Sequence, residues 1–187
     1  MKYKYLILFP IPEPYRSRIV AYREHIEHLT GVTVPHHKLP PHMTFHRPIE
    51  GVSEERILSL TQSMVLQIPQ TRIVTHSFFP FGKRYIVLLA HGTRGVASLW
   101  VGITNLLSML PEYKHGPYDS DNTLHITVAD HMSEHFDRVW PLLQKEPQEI
   151  MEIPVQTVEV WKKGLEYGEQ WQKVIEYELP LFAFMAP

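Results

Sequence analysis

The order strand, helix, strand, helix, strand occurs twice along this chain, and no other feature limits its fold as much. In the first half, Tyr3 to Phe9 reads as a strand of aromatic and branched residues. Pro12 and Pro14 then open a helix. Tyr15, Ile19, Tyr22, Ile26 and Leu29 recur at three- and four-residue spacing, and Gly31 is a fitting stop. A proline-rich loop over Val32–Pro41 leads to a strand over His42–Arg47. Ser53 is placed to cap a second helix with Arg56–Gln67 as its body, and Ile57, Leu60, Met64 and Ile68 mark its apolar face. Thr71–Phe79 is a strand, closed by a turn around Pro80 and Gly82.

The second half repeats this order. Arg84–Ala90 reads as a strand, Arg94–Leu110 as a helix, Pro111–Asn122 as a polar loop and Leu124–Ala129 as a strand. Ser133–Gln144 follows as a helix and Ile150–Trp161 as a strand, with Gln172–Leu179 as its hairpin partner. The offsets agree: position 6 to 87 is 81, His42 to His125 is 83, and position 75 to 157 is 82. Self-similarity of element order at one period points to an internal duplication. The expected fold is α+β: one domain over residues 1–187, built from pseudo-repeats of about 1–81 and 82–187. A pseudo-twofold relates two lobes, each a mainly antiparallel sheet with helices outside, and a cleft lies between them.

Composition narrows the chemistry. With 187 residues, 44% hydrophobic and 20% charged, the chain is long enough for a sizeable core. The formal net charge is -2, from 18 Lys+Arg against 20 Asp+Glu. That argues against a large footprint on duplex nucleic acid, whereas a small anion needs only a local positive site. There is no cysteine, which removes disulfides, thiolate nucleophiles and cysteine metal sites together. The 12 histidines become the first candidates for chemistry. No apolar run is long enough to cross a membrane as a helix. The apolar N-terminal stretch is short and cut by Pro10, Pro12 and Pro14, so it reads as a buried first strand of a cytoplasmic protein.

One tetrapeptide pattern stands at the same place in both halves: His42-Met43-Thr44-Phe45 and His125-Ile126-Thr127-Val128. Each is His, any residue, Thr, then a hydrophobic residue. His28-Leu29-Thr30 and His91-Gly92-Thr93 begin the same way but fail at the fourth position. On a strand, residues i and i+2 share a face. His42 and Thr44 then point one way while Met43 and Phe45 pack the other, and the second motif repeats this. A pseudo-twofold would bring two imidazoles and two hydroxyls into one cleft, the imidazoles roughly 5–8 Å apart so that both reach one phosphate. One neutral imidazole can take a proton from a nucleophile and one protonated imidazole can give a proton to a leaving oxygen. The hydroxyls can hydrogen-bond non-bridging oxygens as charge develops.

This duplicated arrangement resembles the two-histidine (2H) phosphoesterase superfamily, which includes 2′-5′ RNA ligase-like proteins and cyclic nucleotide phosphodiesterases. The resemblance spans nearly the whole chain and both motifs are complete. It implies His42 and His125 as catalytic acid and base and Thr44 and Thr127 as phosphate-binding residues. It further implies a cyclic phosphodiesterase or 2′-5′ RNA ligase-like hydrolase that needs no metal or other cofactor. The expected substrate is a small nucleotide cyclic phosphate or a short RNA end, and the chain is expected to act as a monomer in RNA processing.

Further contacts are expected from His46, on the face of His42, and from Lys114, His115 and Tyr118 in the loop before the second motif, which supply cationic and aromatic groups. Two other functional classes use the same residues: a binding module for RNA ends or cyclic phosphates without turnover, and a histidine-based metal hydrolase. Spacing weighs against the latter. His42 and His46 on a strand lie about 13 Å apart, too far to share a metal. His25 and His28 could chelate from one helix face but have no third ligand in view.

Overall fold

A computed structural model describes residues 3–31, 39–45, 48–113, 123–166 and 168–181. The elements in chain order are β1 (Tyr3–Pro10), α1 (Tyr15–Thr30), β2 (His42–Thr44), β3 (Ile49–Glu50), α2 (Glu54–Val65), β4 (Thr71–Phe81) and β5 (Tyr85–Gly92). They continue with α3 (Arg94–Ser108), β6 (His125–Ala129), α4 (Phe136–Leu143), β7 (Glu152–Val155), β8 (Thr157–Gly164) and β9 (Gln172–Glu178).

Local chemistry accounts for the helix ends. Gly31 stops α1 in the left-handed region at φ 72°, and its N–H donates to the Glu27 carbonyl. A side chain at that φ is strained, so Gly31→Ala is expected to lower unfolding free energy by about 1 kcal/mol, read from the denaturation midpoint. Ser53 caps α2, its hydroxyl accepting from the Arg56 N–H at 3.4 Å. At the start of α1 the Glu13 carboxylate accepts from the Ser17 N–H and hydroxyl, at 3.2 and 2.7 Å.

Every described strand pairing is antiparallel, and the order across the sheet is β7-β4-β5-β6-β2-β1-β8-β9, with β3 also on β1. Hydrogen bonding is continuous, so the two expected sheets join as two halves of one, meeting at β6 and β2. The order reads alike outward from this junction. β5 and β1 come next, then β4 and β8, then β7 and β9. The long strand after the second helix of each sequence half lies in the other half of the sheet: β4 pairs with β5 and β8 pairs with β1.

One expected strand divides and another ends early. Ile150–Trp161 breaks at Gln156, where β7 pairs with β4 and β8 with β1 near opposite ends of the strand order. A single residue can link them only because the sheet curls strongly. The seam is fastened by hydrogen bonds from Leu179 N to Gln156 O at 2.7 Å and from Gln70 N to Pro180 O at 2.8 Å. Pro154 has no N–H to donate, which an edge strand such as β7 tolerates. The strand expected over His42–Arg47 ends at Thr44, and the chain returns to β1 as β3, with Tyr5 opposite Ile49.

Alternation then separates the two faces. Tyr5, Ile7, Phe9, Met43, Ile126, Val128, Val158 and Val160 are buried in one core with Ile19 and Ile26 of α1, Ile57 of α2 and Val96 and Leu99 of α3. The helices lie against this face. On the other face Leu6, Leu8 and Leu39 form a small separate cluster with Trp161 and Trp171 beside it. That second face carries both motifs.

Candidate active site

β2 and β6 meet at one register pair, Met43 opposite Ile126. Both side chains are fully buried. Antiparallel continuation sets His42 across from Thr127 and Thr44 across from His125, all four half-buried on the opposite face. The two histidines are diagonal neighbours, a relation that separates Cβ atoms by about 7 Å. Each imidazole then has room to reach a group held between them.

Both rings are oriented by the same device. His42 Nδ1 lies 2.8 Å from the Pro40 carbonyl oxygen, and His125 Nδ1 lies 2.9 Å from the Thr123 carbonyl oxygen. A carbonyl only accepts, so each Nδ1 carries the hydrogen and donates it. This places the hydrogen on Nδ1, so proton transfer by either ring falls to Nε2. Both carbonyls sit two residues before their histidine, so the equivalence of the halves extends to the groups that hold the rings. Phe81, at the end of β4, packs edge-on against His125 with ring centroids 4.8 Å apart.

The electrostatics favour a neutral His42. Burial pushes its pKa below the ordinary 6.5, and the positive charge of Arg23 and the neighbouring His125 push the same way; the Pro40 carbonyl opposes them. Between 6.5 and the lower value of the folded state, the unfolded chain binds more protons than the folded one at this residue. The stability linked to neutral His42 is therefore complete above pH 6.5 and is lost as pH falls through the folded value. Denaturant midpoints at pH 8 and pH 5 are expected to differ less for His42→Gln than for the wild type.

His46, Lys114, His115 and Tyr118 lie outside the described residues, as do His36 and His37. Among the described residues no three His, Asp or Glu side chains gather as a metal site. His25 faces Glu146 at 2.7 Å. Arg23 was not visible as a site residue in the sequence. It occupies an apolar-stripe position of α1, between Ile19 and Ile26, and is 4% exposed, its Nη2 donating to the Thr127 carbonyl at 3.0 Å. A charge on an otherwise buried stripe was the available signal.

A cavity of about 260 Å³ is lined in part by Pro10, which pairs with His42, and by Arg16, Thr157, Glu159, Lys173 and Glu176. Its cations are engaged: Lys173 donates to Glu159 at 3.0 Å and Glu176 at 2.9 Å, and Arg16 lies 3.9 Å from Glu13.

No sequence profile of a known family matches the chain, and no curated protein matches it by sequence. Solved structures do match. E. coli LigT complexed with 3′-AMP superposes with a TM-score of 0.64 at 15% identity, covering 96% of this chain and 99% of LigT. LigT complexed with ATP gives 0.60 at 14% identity with the same coverage. A crystal structure described as a phosphoesterase gives 0.60 at 14% identity, covering 95% of this chain and 98% of its own. The chain therefore has, over nearly its whole length, the fold of E. coli LigT and of this phosphoesterase.

Proposed function

We propose that this protein is a phosphoesterase that opens a 2′,3′-cyclic phosphate, or cleaves a related 2′-linked phosphodiester, on a nucleotide or short RNA end. The observation that carries the reading is the β2–β6 pairing about Met43 and Ile126, which sets two imidazoles and two hydroxyls on one face. The equivalent hydrogen bonds on each Nδ1 support it by leaving each Nε2 to the chemistry.

In this reading one imidazole takes a proton from water as the water oxygen bonds to phosphorus. The bond from phosphorus to one ribose oxygen breaks, and the other imidazole gives that oxygen a proton. The product is a phosphomonoester with a free ribose hydroxyl; one water is consumed, and proton exchange with solvent resets both rings. Thr44 and Thr127 donate hydrogen bonds to the non-bridging oxygens, where charge accumulates. No metal takes part, and the same pair run in reverse joins ends.

The paired cations of the neighbouring cavity suit an uncharged part of the substrate better than its phosphate. LigT bound to 3′-AMP and to ATP accords with a nucleotide as the substrate class. Hydrolysis of 2′,3′-cyclic nucleotides tests the reading, with kcat/KM expected to follow a bell-shaped pH profile. A profile without both limbs would contradict acid–base catalysis by two imidazoles.

A further inference from the structure

The backbone around the two motifs is equivalent, but the corresponding helices of the two halves are not. The buried residues of α1, which packs against β6, are Ile19, Arg23, Ile26 and Thr30. Those of α3 are Val96, Leu99, Ile103 and Leu107. On α1 a guanidinium stands behind the junction, whereas the buried stripe of α3, its counterpart in the repeated element order, is wholly apolar and packs against β4 and β5.

That guanidinium is costly to keep. Its Nη2 donates to the Thr127 carbonyl, but its Nε is buried without a partner, and no described carboxylate pairs with it. A buried cation without a counter-charge is disfavoured, and an apolar side chain would fill the same stripe without that penalty. Structural support alone does not explain an arginine here.

Its position does suggest a role. Thr127 sits across from His42, so the guanidinium contacts the strand at the His42 end of the junction, while His125 lies two residues before Thr127 at the start of β6. Among the described residues, the charged or titratable groups acting on His42 are Arg23 behind it and His125 beside it; no carboxylate opposes them.

We propose that Arg23 is a positioning residue that breaks the equivalence of the two histidines, holding His42 as the base and leaving His125 as the acid. This rests on the phosphoesterase reading. His42 Nε2 then receives the proton of the attacking water, and His125 Nε2 supplies the proton that leaves with the ribose oxygen. The fixed positive charge adds to burial in disfavouring protonated His42 and so keeps its imidazole ready to accept a proton.

The test compares the wild type with Arg23→Gln, which keeps a donor for the Thr127 carbonyl without the charge, and with Arg23→Lys, which keeps the charge. The two histidine titrations are followed by NMR without ligand, and kcat/KM on a 2′,3′-cyclic nucleotide is measured from pH 5 to pH 8. In R23Q the His42 midpoint is expected to move up, and activity at pH 5, relative to pH 8, to fall at least about threefold further than in the wild type. R23K is expected to follow the wild type. An unchanged His42 midpoint in R23Q would overturn the proposal, and so would an R23K midpoint that moves as far as R23Q. Absence of wild-type turnover would count against the phosphoesterase reading instead. The NMR comparison needs no substrate and would still decide whether Arg23 sets the His42 charge state.

Discussion

Replacing either His42 or His125 by alanine is expected to lower kcat on a 2′,3′-cyclic nucleotide by about 10²–10⁴-fold, the range that one positioned acid or base contributes. The effect is large because a backbone carbonyl orients each imidazole through Nδ1, which leaves proton transfer to Nε2. Loss of one ring leaves the other without a complementary partner, so the double variant is expected to lose little more than either single one. The fold is expected to survive both changes. The side chains that lock the junction are Met43 and Ile126, on the opposite face. Far-ultraviolet circular dichroism and the thermal midpoint check this, and a variant that keeps wild-type kcat would remove that histidine from the mechanism.

Thr44→Val and Thr127→Val are each expected to lower kcat by about 10²-fold, with a smaller change in KM. Valine keeps the β-branched shape that suits a strand and removes only the hydroxyl. A donor aimed at oxygens that gain charge in the transition state affects kcat more than binding. Steady-state kinetics at saturating substrate separates the two. A rise in KM at constant kcat would show that the hydroxyls bind substrate and transition state equally.

Much of this arrangement was legible in the residues. The duplicated element order anticipated a strand order that reads alike outward from β6 and β2. The alternation within each motif anticipated which side chains are buried: Met43, Phe45, Ile126 and Val128 are in the core, and the His and Thr positions face the other way. Gly31 and Ser53 were readable as helix boundaries because cap chemistry is local.

What escaped the sequence depends on contacts between distant segments. The break at Gln156 follows from the curl of the whole sheet, to which a run of strand-forming residues is blind. The exchange of β4 and β8 between the halves is likewise a matter of pairing, not of propensity. Arg23 lies 104 residues from the carbonyl it meets, and Phe81 is 44 residues from the ring it packs on. The Pro40 and Thr123 carbonyls are backbone groups that any residue would supply, so no residue type announces them.

The central claim, that two imidazoles on one face of the β2–β6 junction open a cyclic phosphodiester without a metal, is tested most directly by one comparison. Hydrolysis of a panel of 2′,3′-cyclic nucleotides is measured in excess chelator for the wild type and for the His42→Ala/His125→Ala double variant. The account predicts wild-type turnover that chelator leaves unchanged and that falls at least about 10²-fold in the double variant. Turnover undiminished in the double variant, or abolished by chelator, would contradict it.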